Sequence, residues 1–370
     1  MIDSKVREKI MEDVFITFDP GFPLLEVTSI AKAIDDANVF IPGYIPPAVG
    51  SLDLCGFIFA QTREQYQFVI LPDRNLVSRM ARVQRDGIPE NIDETTNNAI
   101  NVLAFAKAMD FLIEPSIAFH ELAQYAGNEI AHEELRWFRI ADNHNTLEWI
   151  EAAVGRRHKF TPSHPIPQNS AHDLSFPLHR WKRNYVVALK IAELELQQIS
   201  NIERSLQLFR WLFYDFLLAG PAAIFATFYF SPMSSRKRLL KHLRSLDRER
   251  AIGGVKNAAW DITHLSDFVR RIDAGDRERK RYIFATADKG LARIAPLLLK
   301  DPHDNDIEIG LATALEAWWP HRDARRIVTA LTEYIDHADK SERQINGPVS
   351  SDFIDALIER GESNLRAFEP

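Results

Sequence analysis

Residues 67–75 have the sequence QFVILPDRN, an apolar run that ends in proline and is followed at once by Asp73. Short runs of β-branched and aromatic residues, bounded by proline or polar residues, are typical of buried strands. A second such run, YIFAT at 282–286, is followed two residues later by Asp288. Helical patterns fill most of the chain between them, so the sequence predicts an α/β fold with a central parallel sheet flanked by helices.

Other strands and helices are predicted on either side of these two runs. The apolar stretch LDLCGFIFA, residues 52–60, and the short FLI, residues 111–113, are interpreted as strands. Asp93 or Thr95 would cap a helix that reaches Met109. One more helix would begin at Pro115-Ser116. The remaining predicted helices cover residues 29–38, 128–155, 183–230, 257–272, 289–300, 306–340 and 351–366.

The composition is that of a globular protein rather than a disordered or disulfide-rich one. The chain has 370 residues, of which 46% are hydrophobic and 26% charged, and a formal net charge of −7. The single cysteine, Cys55, excludes an intramolecular disulfide and a thiolate-rich zinc site. The charged N-terminal segment lacks the apolar centre of a signal peptide, and Asp215, Gly220 and Pro221 interrupt the most apolar stretch. We therefore expect a cytoplasmic protein without a membrane span.

Four acidic residues occupy positions where a metal site can form. Asp73 and Asp288 follow strands, Asp261 lies in the second turn of the helix predicted over 257–272, and Glu121 lies on the helix after FLI. Groups at the carboxyl ends of neighbouring parallel strands converge on one crevice. Converging carboxylates stay ionised only with a cation among them, and oxygen ligands favour Mg²⁺ or Mn²⁺. Such a site supports phosphodiester hydrolysis, although aspartate is also common in turns and helix caps.

In their order and context these phrases resemble the PIN-domain family of nucleases. The family places an Asp after its first strand, a Glu on a helix after the second strand, an Asp on a later helix, and a last Asp in a Thr/Ser-x-Asp phrase after the next strand. The matching residues are Asp73 and Asn75 in FVILPDRN, Glu121 in FLIEPSIAFHELA, Asp261 in AAWDITHLSDF, and Thr286 and Asp288 in IFATADKGL.

The resemblance implies a divalent-metal-dependent endonuclease with a PIN-like sheet, and RNA as a substrate in preference to DNA. The four acids would hold Mg²⁺ or Mn²⁺, with Glu121 either binding the metal or positioning the attacking water. Asn75 and Thr286 would orient the carboxylates. A toxin-like role with a protein inhibitor, a defence role and RNA processing are all left open, as is a homo-oligomer.

The resemblance covers roughly residues 66–126 and 257–295. Asp261 follows Glu121 by 140 positions, where the family usually has a short helical linker. The chain is accordingly divided into an N-terminal extension (1–50), the first part of a PIN-like core (51–127), a helical insertion (128–256), the second part of the core (257–300) and a helical C-terminal region (301–370).

A basic segment precedes Asp261. Eight Lys or Arg residues and two acids lie between Ser231 and Lys256, so the net charge of −7 hides a local positive strip. Such a strip is what a phosphate backbone requires, although a solvated helix face has the same composition. The predicted contacts to nucleic acid are Arg236, Lys237, Arg238 and Lys241.

Three other functions compete with the metal-dependent nuclease. Arg139 and His144 form an R-x₄-H phrase like that of metal-independent HEPN ribonucleases. Glu129 and His132 form one Glu-x-x-His pair of the kind found twice in carboxylate-bridged di-iron proteins. A non-enzymatic helical binding protein would be favoured if the four acids were scattered in space.

Overall fold

The sheet of this protein lies between two layers of helices. A computed structural model describes residues 16–44, 52–162, 172–234, 239–299, 307–339 and 350–369. Within them the chain is an α/β protein in which helices predominate and one four-stranded sheet forms the centre.

The four strands form a mixed sheet in the order β1-β4-β2-β3. They are β1 (Phe40–Pro42), β2 (Gln67–Pro72), β3 (Leu112–Ile113) and β4 (Lys280–Ala285). Strand β2 pairs in parallel with both β3 and β4, but β1 runs antiparallel to β4. The α/β class and the three strands predicted around QFVIL, FLI and YIFAT are thus confirmed. The prediction of a wholly parallel sheet is wrong, because β1 runs antiparallel to β4. Strand β1 covers an edge of β4 that would otherwise be unpaired.

Alternating side chains of the central strands divide the interior into two apolar cores. In β2, Phe68 and Ile70 point into one core and Val69 and Leu71 into the other. The buried side chains of β4 alternate between the same two cores. Because successive side chains of a strand point to opposite faces, a sheet buried on both faces needs the continuous apolar runs that this sequence has.

The helices of the N-terminal part form the first layer, together with the start of the predicted insertion. Helices α6 and α7 belong to residues 128–256, and this range contributes helices to both faces of the sheet. The helices are α1 (Leu24–Asp36), α2 (Leu54–Thr62), α3 (Arg74–Asp86), α4 (Glu94–Ala108), α5 (Ser116–Ala126), α6 (Asn128–Asn143) and α7 (Thr146–Ala153).

The second layer is built around α11, which packs on β4 and on α8. A 3₁₀ turn, Ala295–Leu298, follows α12. The helices are α8 (His179–Leu196), α9 (Asn201–Tyr214), α10 (Gly220–Phe230), α11 (Arg248–Glu278), α12 (Lys289–Ile294), α13 (Ile307–Leu315), α14 (His321–Asp339) and α15 (Ser351–Ala367).

The strand predicted at residues 52–60 is wrong, because this segment forms helix α2. The Asp53 side chain accepts hydrogen bonds from the backbone N–H groups of Cys55 and Gly56 and so caps the helix. A short continuous apolar run does not distinguish a buried strand from a buried helix. Here the Asp53 cap and the packing of one apolar face stabilise the helix.

Helix α11 is longer than predicted and places Asp261 near its middle rather than in its second turn. The pair Gly253-Gly254 lowers the helix propensity of this segment. A Cβ at Gly254 would lie 1.9 Å from the carbonyl oxygen of Lys241. The glycine therefore allows the backbone at Lys241 to lie against the helix, two turns before Asp261.

The most apolar stretch, residues 211–230, contains the end of α9 and all of α10, and residues 222–230 are all buried in the second core. Among the described residues, no helix combines the length and apolar composition that a bilayer crossing requires.

Candidate active site

Asp73 lies at the carboxyl end of β2 and caps helix α3. Its Oδ1 accepts a hydrogen bond from the Leu76 backbone N–H at 2.9 Å, and only 3% of the residue is exposed. Its Oδ2 accepts a hydrogen bond from Thr286 Oγ1 at 2.5 Å. These contacts hold the carboxylate in one orientation.

Asp288 lies beside Asp73 because β2 and β4 are parallel neighbours with Pro72 opposite Ala285. The Asp288 backbone N–H donates to Thr286 Oγ1 at 3.0 Å, so the threonine links the two strand ends. Asp288 Oδ1 accepts hydrogen bonds from the first turn of α12 and caps that helix. Both acids therefore cap a helix and lie at the carboxyl ends of the two central strands.

Glu121 and Asp261 come from helices α5 and α11. Glu121 Oε2 lies 3.2 Å from His264 Nε2, and the two side chains are 20% and 6% exposed. His264 follows Asp261 by three residues and therefore lies on the same face of α11. Sequence reasoning missed His264, although its spacing from Asp261 in the phrase DITH was the available signal.

The other three acids lie close enough to Asp261 to shift its pKa. Burial raises the pKa of Asp261 well above its ordinary value, and the neighbouring carboxylates of Asp288, Glu121 and Asp73 raise it further. Lys241 opposes this shift. Four segments that are distant in the sequence thus bring their carboxylates to one place.

The pKa of Asp73 is raised as well, again mainly by burial. Its hydrogen bonds from Thr286 and Leu76 oppose the shift, as does the nearby His264. Glu121 contributes in the same direction as burial. The cluster is therefore a place where negative charge is unfavourable unless a cation compensates for it.

The side chains of the described residues do not form a complete set of metal ligands. Within the described residues, no group of three His, Cys, Asp or Glu side chains is arranged to hold a metal ion. The donor set is nevertheless of the oxygen type that Mg²⁺ and Mn²⁺ prefer. Asn75 is exposed in the first turn of α3, and in the described residues it makes no hydrogen bond to the four carboxylates.

A cleft of about 1090 Å³ opens beside the acids, and Glu121 and Asn75 line it. On its wall Tyr125, one helical turn after Glu121, is 92% exposed. Trp260 is nearly buried and donates a hydrogen bond to Gln124 Oε1 at 3.1 Å. The cleft therefore offers an exposed aromatic ring close to the acidic cluster, which the sequence analysis did not identify.

Five Lys or Arg side chains also line this cleft. Three of them, Arg74, Lys182 and Lys256, form ion pairs with neighbouring carboxylates. Lys241 and Arg250 are exposed, and neither forms an ion pair within the described residues. Of the predicted nucleic-acid contacts, Lys241 thus lies at the cleft.

The other three predicted contacts, Arg236, Lys237 and Arg238, lie outside the described residues.

The residues of the competing functions are placed differently. His144 Nε2 lies 3.0 Å from Glu148 Oε2, with its side chain 7% exposed, while Arg139 is exposed on α6. Glu129 is exposed, and His132 Nε2 lies 2.9 Å from the backbone oxygen of His172. Both histidines therefore have local partners near α6.

Comparisons with known protein families, with curated proteins and with solved structures give no match. The function is therefore inferred from the residues of this chain alone.

Proposed function

We propose that this protein is a divalent-metal-dependent endonuclease that hydrolyses phosphodiester bonds, with RNA as its substrate, and that its sheet and acids form a PIN-like active site. The observation that carries the proposal is geometric: Thr286 hydrogen-bonds to both Asp73 and the backbone of Asp288, and Glu121 contacts His264, one helical turn after Asp261. The raised pKa of Asp261, to which Asp288, Glu121 and Asp73 contribute, agrees with that geometry. Repulsion among four half-buried carboxylates destabilises the folded protein. Such a cost is typical of functional sites.

The four acids Asp73, Glu121, Asp261 and Asp288 would hold Mg²⁺ or Mn²⁺. When bound, the metal supplies an activated water and neutralises charge on the phosphoryl oxygens. The protein's own contribution is positional: Thr286 fixes Asp73, and His264 lies against Glu121. Such outer contacts keep carboxylates in place around a metal.

The cleft supplies the groups that a nucleic acid strand requires. Lys241 and Arg250 would contact the phosphate backbone, and the exposed ring of Tyr125 would stack on a base. Single-stranded RNA presents unstacked bases to such a surface, which favours it over duplex DNA. An RNA substrate and one free cysteine fit a cytoplasmic enzyme.

The test is cleavage of labelled single-stranded RNA in Mn²⁺ by the wild type and by Asp73→Asn. Asparagine caps helices as well as aspartate does, so this variant removes the charge while keeping the start of α3. We expect the variant to lose cleavage. Asp273→Asn, an exposed position on α11, is the matched control and should cleave like the wild type.

Equal cleavage by Asp73→Asn and the wild type would overturn the proposed mechanism. Cleavage that persists in EDTA and is lost in His144→Ala would show the HEPN-like reaction instead. Binding of RNA without cleavage under any metal would identify a binding protein.

A further inference from the structure

A second pocket, of about 330 Å³, is lined by residues of α5, α8 and α11, among them three arginines and Asp267. Arg180 comes from α8, and Arg270 and Arg271 come from α11. All three surround the carboxylate of Asp267, whose side chain is 7% exposed.

The hydrogen bonds in this pocket leave most arginine donors without a carboxylate. Arg180 Nη1 and Arg270 Nη2 donate to Asp267 Oδ1 at 2.9 and 2.7 Å, and Arg271 Nε donates to Oδ2 at 2.7 Å. Each guanidinium has five N–H donors, which exceeds what one carboxylate can accept from three of them. The carboxylate of Glu114 lies 3.9 Å from Arg271 and is a second, more distant partner.

The charge of the pocket is consequently positive. Three guanidinium groups face the carboxylates of Asp267 and Glu114, and His120 and His179 also line the cavity. Burial lowers the pKa of Arg180, Asp267 opposes this, and repulsion from Arg270 and Arg271 lowers it further. The first turn of α5, at Ser116, adds the positive end of a helix dipole.

The position of the pocket relates it to the acidic cluster. His120 lines the arginine pocket, while the next residue, Glu121, lines the large cleft. Asp267 follows Asp261 on α11 by six residues, which corresponds to about 9 Å along the helix axis and about a third of a turn around it. A strand bound at the acids therefore has a second, positively charged pocket within a short distance.

We propose that the pocket of Arg180, Arg270 and Arg271 binds a phosphate group of the nucleic acid strand, next to the phosphate that is cleaved. Guanidinium groups match phosphate oxygens in two-point hydrogen bonds, and Asp267 holds the three arginines in place for that contact. This inference rests on the proposed nuclease function, because it assigns a position to the same substrate.

The experiment measures binding without cleavage. A short fluorescein-labelled single-stranded RNA is titrated in EDTA with the Asp73→Asn protein, alone and combined with Arg270→Gln. The Arg270 side chain is 51% exposed, and Arg180 and Arg271 still hold Asp267 in the variant. We expect Arg270→Gln to weaken binding about tenfold and to lower the slope of log Kd against log salt by about one.

Two controls accompany this variant. Arg270→Lys should recover part of the affinity, because it keeps the charge but not the forked geometry. Arg325→Gln removes an exposed arginine from α14, which lines neither cavity, and should bind RNA like its parent. Unchanged affinity and salt slope in Arg270→Gln would overturn the proposal.

A second measurement separates this proposal from the nuclease function. Inorganic phosphate at constant ionic strength should raise the Tm of the wild type but not that of Arg270→Gln. A Tm rise that depends on Arg270 while RNA affinity does not would assign the pocket to free phosphate and reject the strand contact. RNA binding that depends on Arg270, with equal cleavage by the wild type and Asp73→Asn, would leave the pocket in place and reject the acidic cluster as the catalytic centre.

Discussion

Glu148 on α7 and Asp261 on α11 are both half-buried acids on helices, but their surroundings have opposite effects on them. Glu148 accepts hydrogen bonds from the Thr161 hydroxyl and backbone N–H at 2.6 and 2.9 Å, and lies near Arg157 and His144. Although burial acts to raise its pKa, these partners lower it to about 2. The pKa of Asp261 is instead raised well above its ordinary value.

The two acids differ in whether the protein supplies groups that neutralise their charge. Glu148 is neutralised by the protein itself, so its charge holds α7 against the segment around Thr161. Asp261 has other carboxylates for neighbours, and Lys241 only partly compensates for them. Under the proposed function, a divalent cation would neutralise that cluster, since its charge and its preference for oxygen ligands match the four acids.

The largest expected effect is on cleavage. Asp261→Asn should lower the rate of Mn²⁺-dependent RNA cleavage roughly a hundredfold or more, since losing a metal ligand removes several kcal/mol of transition-state stabilisation. Glu148→Gln, assayed well below its Tm, should keep wild-type kcat/KM. Comparable initial rates for Asp261→Asn and the wild type would remove the distinction between the two acids.

The second-largest expected effect is on the free energy of unfolding. Glu148→Gln should lower the free energy of unfolding by about 2 kcal/mol, because charged hydrogen bonds to Thr161 and Arg157 are lost. Glu151→Gln, which removes a more exposed partner of Arg157, should cost less than about 1 kcal/mol. Urea denaturation of the two variants measures both values. Equal losses would show that Glu148 has no special role in the fold.

The two acids should also give stability opposite dependences on pH. Because the pKa of Glu148 is lowered, its contribution is present above its ordinary value of 4.5 and is lost as the pH falls toward about 2. Because the pKa of Asp261 is raised, stability without metal falls as the pH rises from 3.8 through the raised pKa. Asp261→Asn should therefore raise the Tm by a few degrees in EDTA at neutral pH.

Thermal unfolding of Asp261→Asn and the wild type at about pH 4 and pH 8 checks this sign. The gain should be present at the higher pH and small at the lower one. Mn²⁺ should raise the Tm of the wild type more than that of the variant. A variant less stable than the wild type in EDTA at both pH values would contradict the picture of repelling carboxylates.

The smallest effect concerns Thr286. Thr286→Val removes the hydrogen bond to Asp73 while keeping the shape of the side chain, so we expect about a tenfold loss of cleavage. The cost in unfolding free energy should be about 1–2 kcal/mol. Thr286→Ser keeps the hydroxyl and should keep most of the activity. If Thr286→Val and Thr286→Ser cleave equally, the hydroxyl does not orient Asp73.

Much of the candidate site was predictable because its signals are local. Asp73, Thr286 and Asp288 directly follow apolar strands, and the neighbouring carboxyl ends of parallel strands bring such residues together. Tyr125 was missed because nothing in its immediate sequence marks it, and the spacing of His264 from Asp261 indicates only that the two share a helix face. His264 belongs to the candidate site because it contacts Glu121, which is 143 residues away in the sequence.

The sequence by itself determined the α/β class, the two central strands and the acids that follow them, because apolar runs and turn residues act over a few positions. The tertiary structure alone decided that residues 54–62 form a helix, that β1 pairs antiparallel to β4, and that three arginines surround Asp267. Those features depend on contacts between residues that are far apart in the chain, and no short stretch of sequence encodes such contacts.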